Sequence, residues 1–341
     1  MSSDIKKRDN FCSIPFLQLQ LNPLGNISAC CFSGEHTVGN IKDNTLKEIW
    51  NGPEMQKWRQ EFISGDIKIC KGPMKNFECH KMYTHLNDMV DLDVIQTQNP
   101  RRLDLRLNGK CNLECVMCDV WSQPNGLYEN CDLWTDGPEK IFPYLVEVDM
   151  LGGEPFIQKD TFKFIDAVSA VNSQCRWGFI TNSSYVFNEK LRSTLDKLEL
   201  RHIHLSMDGV SKEVYEKIRK KGSFEKTFAT IEEYVKYRSE RRSKNRDFVL
   251  FGSFCVQKDN WHEIGQFLDF CKKREMSPIL QSVIGRSHLS LNQLSVAEYD
   301  GILQVILPYL NSDLRYAVLP LHEDVVRFKQ ERQKLDSKAA T

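Results

Sequence analysis

No run of apolar residues in this 341-residue chain approaches the roughly 18 that a membrane-crossing helix requires. The opening MSSDIKKRDNFCS carries positive charge but has no apolar stretch behind it, so it lacks the pattern of a secretory signal. Neither sign of charge is in excess, since 46 basic residues face 46 acidic ones. A protein that tracks phosphate backbones usually shows a basic surplus, which argues against nucleic acid as an obligatory partner. No internal repeat appears beyond an alternation of strand and helix. These absences make a cytoplasmic location the expectation, and there thiols stay reduced.

Cysteine, by contrast, is plentiful, at 12 residues. In a reducing compartment structural disulfides are disfavoured, so metal binding, catalysis and plain burial compete for them. Five precede residue 80: Cys12, Cys30, Cys31, Cys70 and Cys79. Three sit together at Cys111, Cys115 and Cys118. Cys131, Cys175, Cys255 and Cys271 are scattered singly and are expected to be small apolar core residues.

From about residue 100, short β-rich runs alternate with helical stretches. LDLRL (103–107), VEVDML (146–151), RWGFIT (176–181), HIHLSM (202–207), FVLFGSFCV (248–256) and ILQSVI (279–284) read as strands. Between them TFKFIDAVSAV, FEKTFATIEEYVKY and WHEIGQFLDFCKK have helical spacing. Such alternation implies a parallel sheet with crossover helices, whose active site lies where the strands end. The fold class expected is α/β, a partial (β/α)6 TIM-like barrel over 100–285. A small loop-rich module fills 1–90, in which only TLKEIWN and PEMQKWRQEFI look helical. A helical extension covers 286–341, amphipathic through VAEYDGILQVILPYL and then polar and frayed. The basic run Arg238–Arg246 reads as a solvated helix end.

The chemistry is concentrated in NGKCNLECVMCD, directly after the first of these strands. Thiols separated by three and then two residues can surround one cubane cluster, and iron–sulfur cubes usually take four thiolates. Three leave one iron open, as an open position distinguishes catalytic from structural metal sites. A metal-free reading would put Cys111, Cys115 and Cys118 on one buried helix face, but Gly109 and Asn112 argue against a helix there. Zinc in structural sites prefers four closed ligands.

CNLECVMC resembles the CxxxCxxC signature of the radical S-adenosylmethionine enzymes, and the resemblance covers roughly 100–285. Gly152-Gly153-Glu154-Pro155, after the second strand, is similar to that family's GGEP turn, which receives the amino group of the methionyl part of the cofactor. Thr181 and Asn182 close the third strand, and Ser206 and Asp208 close the fourth. The resemblance implies that they face the ribose and methionine. Arg219 matches an arginine that can pair with the cofactor carboxylate. Met117 stands where the family often has an aromatic residue, and its thioether can still cover the adenine. The implied cofactors are a [4Fe–4S] cluster and S-adenosylmethionine, cleaved by one electron to a 5′-deoxyadenosyl radical that abstracts hydrogen from a substrate. A reductant such as flavodoxin or ferredoxin is implied with them.

Cys12, Gly25 and Cys30, with GNISACCFSGEHTVGNIKDNTLKEIWNGPEMQKWR, resemble the auxiliary-cluster domain called SPASM, or its shorter twitch form. Pro73 and Tyr83 occupy two positions where the full pattern has cysteine. Cys12, Cys30, Cys70 and Cys79 remain, enough for one auxiliary iron–sulfur cluster, taken as [4Fe–4S], with Cys31 and His80 as substitutes. Here the module precedes the barrel, whereas in most relatives it follows. A zinc-stapled lid is the alternative for these four residues.

The function expected is modification of a peptide or protein side chain. The alternatives are a dehydrogenase, epimerase or rearrangement enzyme acting on a small molecule and, from another class, a non-catalytic iron–sulfur electron carrier. Asp104, Arg106 and Gln281 lie on expected strands near the barrel mouth, without an assigned acid–base role.

Overall fold

The computed structural model describes residues 2–30, 36–70, 79–283 and 286–339. Cys31 and Pro73 lie outside the described residues, as does the His80 side chain. The chain divides into two compact units. The first comprises Met1–Cys111, Ser122–Phe179 and Lys190–Leu200, and the second Asn112–Trp121, Ile180–Glu189 and Arg201–Thr341.

In the first unit, β1 (Gln18–Leu21), β2 (Asn26–Ser28) and β3 (Gly39–Asn40) form an antiparallel meander. The sequence showed turns there but not β1. QLQL has only two apolar residues, and it becomes a strand by pairing in parallel with β4 (Arg102–Leu105), Gln20 opposite Asp104. β4 pairs in parallel with β5 (Glu147–Met150), and β5 with β6 (Arg176–Thr181). Alternation sets the two faces. Leu19, Leu21, Leu103, Leu105, Val148, Trp177 and Phe179 are buried on one. The other carries Gln18, Gln20, Arg102, Asp104, Glu147 and Asp149, where Arg102 pairs with both Glu147 and Asp149. Asp104 is buried, which raises its pKa, and Arg106 Nε stands 3.9 Å from its carboxylate.

The second unit contains β7 (Glu199–Ser206) almost entire, β8 (Val249–Val256) and β9 (Ser277–Ser282), parallel throughout. Ile203, Leu205, Leu250, Phe254 and Val256 are buried on one face, while His202, His204, Ser206, Phe251 and Ser253 are half-buried on the other. Gln281 on β9 is exposed. All six strands expected from residue 100 onward therefore form, in an α/β fold with parallel pairing.

Three expectations change. The tail is not frayed after Val296–Ile306. It continues as the helix Arg315–Ala339, because Leu314, Ala317, Val318, Leu321 and Val325 recur at helical spacing and are buried. The basic run is not simply solvated, since Arg238 and Arg241 are buried and Arg238 bridges to Asp247 and Glu275. Of the four single cysteines, Cys175 and Cys271 are core residues, whereas Cys131 and Cys255 are only partly covered. Among the described residues, no helix is long and apolar enough to cross a membrane.

Both N-terminal helices expected from sequence form, at Leu46–Trp50 and Pro53–Ser64. Their junction is closed by Arg59, which is wholly buried. Its guanidinium donates to the carbonyls of Pro15 (3.0 Å), Val94 (2.9 Å) and Trp50 (2.7 Å) and to Asn51 Oδ1 (3.1 Å). It also lies 4.3 Å from the centre of the Trp50 ring. Burial pulls its pKa down to about 10, yet the guanidinium keeps its charge at neutral pH. Arg59→Met keeps the volume but leaves buried acceptors unmatched, so it is expected to lower stability by about 3 kcal/mol. Urea unfolding measures this, and a loss under about 1 kcal/mol would contradict the clamp.

Candidate radical and iron–sulfur sites

Residues 108–111 leave β4 as a loop whose carbonyls and amides need partners from elsewhere. Lys110 N–H donates to Asn108 Oδ1 (3.1 Å), and Asn108 Nδ2 donates to Asp160 (2.8 Å). The Lys110 carbonyl accepts from Glu154 N–H (2.9 Å) and from Gln158 Nε2 (2.9 Å). Gln158 Nε2 is also 3.1 Å from the Gly152 carbonyl. The turn after β5 is thereby pressed onto the residue before Cys111. Gly152 and Gly153 have φ of +81° and +51°, and a Cβ on Gly153 would stand 2.2 Å from the Lys110 oxygen. Only glycine fits there. Glu154 is fully buried and its carboxylate accepts from Phe156 N–H (3.1 Å), while Pro155 opens a short 3-10 turn. Cys111 is half-exposed.

In the second unit, Cys118 N–H donates to the Cys115 carbonyl (3.0 Å), a tight turn that leaves both cysteines half-exposed. Met117, between them, is half-exposed as well. Trp121 Nε1 donates to the Cys118 carbonyl (3.0 Å) and closes the loop. Its start is latched by Asn112, which donates to the Ser184 carbonyl (2.6 Å) and accepts from Asn182 Nδ2 (2.9 Å). Asn182 Oδ1 in turn accepts from Ser184 N–H (2.8 Å). Thr181 is buried with its hydroxyl 2.8 Å from that of Tyr185, accepting from Ser183 N–H. Thus Thr181 and Asn182 shape the turn after β6, and Asn182 reaches the cysteine loop.

Asp208, just past β7, has φ of +61° and is 2% exposed. Its carboxylate accepts from Cys255 N–H (2.6 Å) and lies 2.6 Å from Arg219 Nη2. Ser206, at the end of β7, is half-buried. Two residues that sequence reasoning passed over complete the arrangement. Asn260 donates to the carbonyls of Asp208 (3.0 Å) and Cys255 (2.9 Å), fixing the ends of β7 and β8 together. The Cys255 thiol is pushed up by burial and then by Asp208, with Cys115 and Cys118 adding to the shift, so it lies close to the cysteine loop. A lone cysteine on a β-rich run carries no sequence signal for this placement.

In the N-terminal module, Cys12, Cys30, Cys70 and Cys79 are all half-exposed. The Cys12 thiol is raised to about 12 by burial first, with Cys79 and Cys70 as neighbouring contributors. Cys12 therefore has Cys70 and Cys79 near it. Among the described residues, no three His, Cys, Asp or Glu side chains stand close enough to hold a metal ion as they are. The donors nonetheless suit iron. They are partly exposed thiols, the donor type that iron–sulfur clusters take.

Comparison with known proteins matches these features. Residues 105–271 match the radical SAM superfamily, and residues 12–79 match an iron–sulfur cluster-binding domain, SPASM. A GTP 3',8-cyclase of Clostridium botulinum is 26% identical over 183 residues, 51% of this chain and 54% of that protein. An AdoMet-dependent heme synthase of Methanosarcina barkeri is 27% identical over 227 residues, 62% of this chain and 58% of that protein. The chain thus spans little more than half the length of the curated relatives it matches. Streptococcus suis SuiB, solved with its precursor peptide SuiA, covers 88% of this chain and 70% of its own, at 12% identity and a TM-score of 0.44.

Gly153→Ala would drive a Cβ into the Lys110 carbonyl and displace the turn. The expected outcome is at least tenfold weaker S-adenosylmethionine binding by the reconstituted protein, about 1.4 kcal/mol or more, with a lowered thermal midpoint but a still cooperative unfolding transition. Equilibrium dialysis reads the first quantity and calorimetry the second. Unchanged binding would remove the turn from the cofactor site.

Proposed function

We propose, from the match of residues 105–271 to the radical SAM superfamily and of residues 12–79 to an iron–sulfur cluster-binding domain, that the chain cleaves S-adenosylmethionine reductively and modifies a peptide or protein side chain. The observation that supports the first half is the fit of Gly153 against the carbonyl of Lys110, the residue before Cys111. Cys111, Cys115 and Cys118 would hold a [4Fe–4S] cluster to which S-adenosylmethionine binds. When bound, the reduced cluster would supply the one electron that splits the sulfonium C–S bond of S-adenosylmethionine into methionine and a 5′-deoxyadenosyl group able to take a hydrogen atom from the substrate.

The chain's own residues bind, orient and exclude. The backbone and carboxylate of the Gly152–Pro155 turn receive the cofactor amino group. Met117 covers the adenine. Ser206 meets the ribose end, while Thr181, Asn182 and Asp208 hold the strand ends that frame it. Asn260 keeps the frame rigid, which matters because the target C–H must stand within near-attack distance. Cys12, Cys30, Cys70 and Cys79 would hold one auxiliary cluster, whose chemistry would be electron relay. A low-potential protein such as flavodoxin or ferredoxin supplies them. The N-terminal module supports a peptide substrate, since such modules accompany peptide maturation in the resembling family. The names of the curated relatives, a GTP cyclase and a heme synthase, favour a small molecule as the second reading.

Anaerobically reconstituted, dithionite-reduced protein is expected to release 5′-deoxyadenosine, and Cys111→Ala, Cys115→Ala and Cys118→Ala each to abolish it while the N-terminal metal stays bound. Deuterium passing from a labelled peptide into 5′-deoxyadenosine identifies the substrate class, and transfer only from a small molecule selects the second reading. A fully loaded protein that never forms 5′-deoxyadenosine is an electron carrier instead.

A further inference from the structure

Two backbone hydrogen bonds tie the cysteine loop to the segment leaving the helix Lys212–Ile218. Glu114 N–H donates to the Lys220 carbonyl and Val116 N–H to the Ile218 carbonyl, each at 3.0 Å. The pairing runs antiparallel, so Cys115 stands opposite Arg219. An exposed ion pair of Lys221 with Glu114 adds little energy but agrees with the register.

Arg219 is 6% exposed and its Nε has no hydrogen-bond partner among the described residues. One nitrogen, Nη2, is pinned 2.6 Å from Asp208. Asp208 cannot swing away, because its other oxygen accepts Cys255 N–H and its carbonyl accepts Asn260. Burial works against the guanidinium charge, but Asp208 and then Cys115 outweigh it, so the cation is permanent and close to Cys115. A buried, immobile cation beside a cluster thiolate favours whichever cluster state carries more negative charge.

We propose that the Asp208–Arg219 pair tunes the cluster held by Cys115: the guanidinium, positioned by Asp208 opposite that cysteine, stabilises the one-electron-reduced cluster and raises its reduction potential. The electron comes from a low-potential donor, which is oxidised by one electron as the cluster is reduced. The inference rests on Cys115 being a cluster ligand. It differs from a pairing of Arg219 with the cofactor carboxylate, because it operates before the cofactor binds.

The test is an EPR-monitored potentiometric titration of the full-length, anaerobically reconstituted protein without S-adenosylmethionine. A Cys111→Ala, Cys115→Ala and Cys118→Ala triple variant supplies the auxiliary-cluster contribution to subtract. Were the triple variant to keep all its iron and both signals, the ligand assignment would fail, and the tuning with it. Given that assignment, Arg219→Gln is expected to lower the one-electron reduction constant at least tenfold, about 59 mV toward negative potential. Asp208→Asn removes the anion and is expected to shift the potential in the opposite direction, and Arg219→Lys to restore the wild-type value. Opposite signs are a readout that loss of packing alone does not give, and Asp208→Asn with Arg219→Lys decides the matter even if Arg219→Gln does not fold. An unchanged potential with weakened cofactor binding in Arg219→Gln, or shifts of one sign in both neutral variants, overturns the proposal.

Discussion

Presenting thiolates to a cluster requires a segment that is neither helix nor strand, and such a segment leaves its own backbone groups in need of partners. The stretch around Cys111, Cys115 and Cys118 meets that requirement by borrowing. The Lys110 carbonyl takes two donors from the turn after β5, and the amides of Glu114 and Val116 are taken up by residues 220 and 218. Asn112 is held by the turn after β6. The turns after β5 and β6 and the segment after the helix Lys212–Ile218 are thus hydrogen-bond partners of the cysteine segment. A change in any of these turns is felt at the thiols, although none of the turns contributes one.

The charges around the site follow the same economy. Asp208 and Arg219 are both buried, a costly arrangement unless each is fully engaged. Asp208 is engaged by Cys255 N–H and by the guanidinium, and its left-handed backbone is braced by Asn260. A polar row of another kind runs along β1, β4 and β5, where Arg102 is shared between Glu147 and Asp149 and stands near Cys12. Charge therefore occurs beside both groups of cysteines, and in each case it is paired.

The strands were legible because parallel, doubly covered strands read as dense apolar or alternating runs, and all six did. The cysteine spacing was legible because it follows the pattern of the family matched over 105–271, and the Gly152–Pro155 turn because only glycine fits where a Cβ would collide with Lys110. β1 was not legible, since QLQL takes its extended form from pairing with β4. Nor was the final helix, whose apolar stripe stops at Phe328 and leaves a polar remainder. Asn260 and Cys255 were invisible for a different reason. Their importance arises from neighbours some 50 residues away, Cys255 and Asn260 both bonding to Asp208 (separations of 47 and 52), and nothing local marks such partners.

The central claim is that three thiolates leave one iron open. The EPR spectrum of the reduced, reconstituted protein tests it most directly when recorded before and after S-adenosylmethionine is added. A change in the g-values of a [4Fe–4S] signal that is absent from the Cys115→Ala variant is the predicted result. Signals that do not respond to the cofactor, with iron and spectra the same in that variant, would contradict the account.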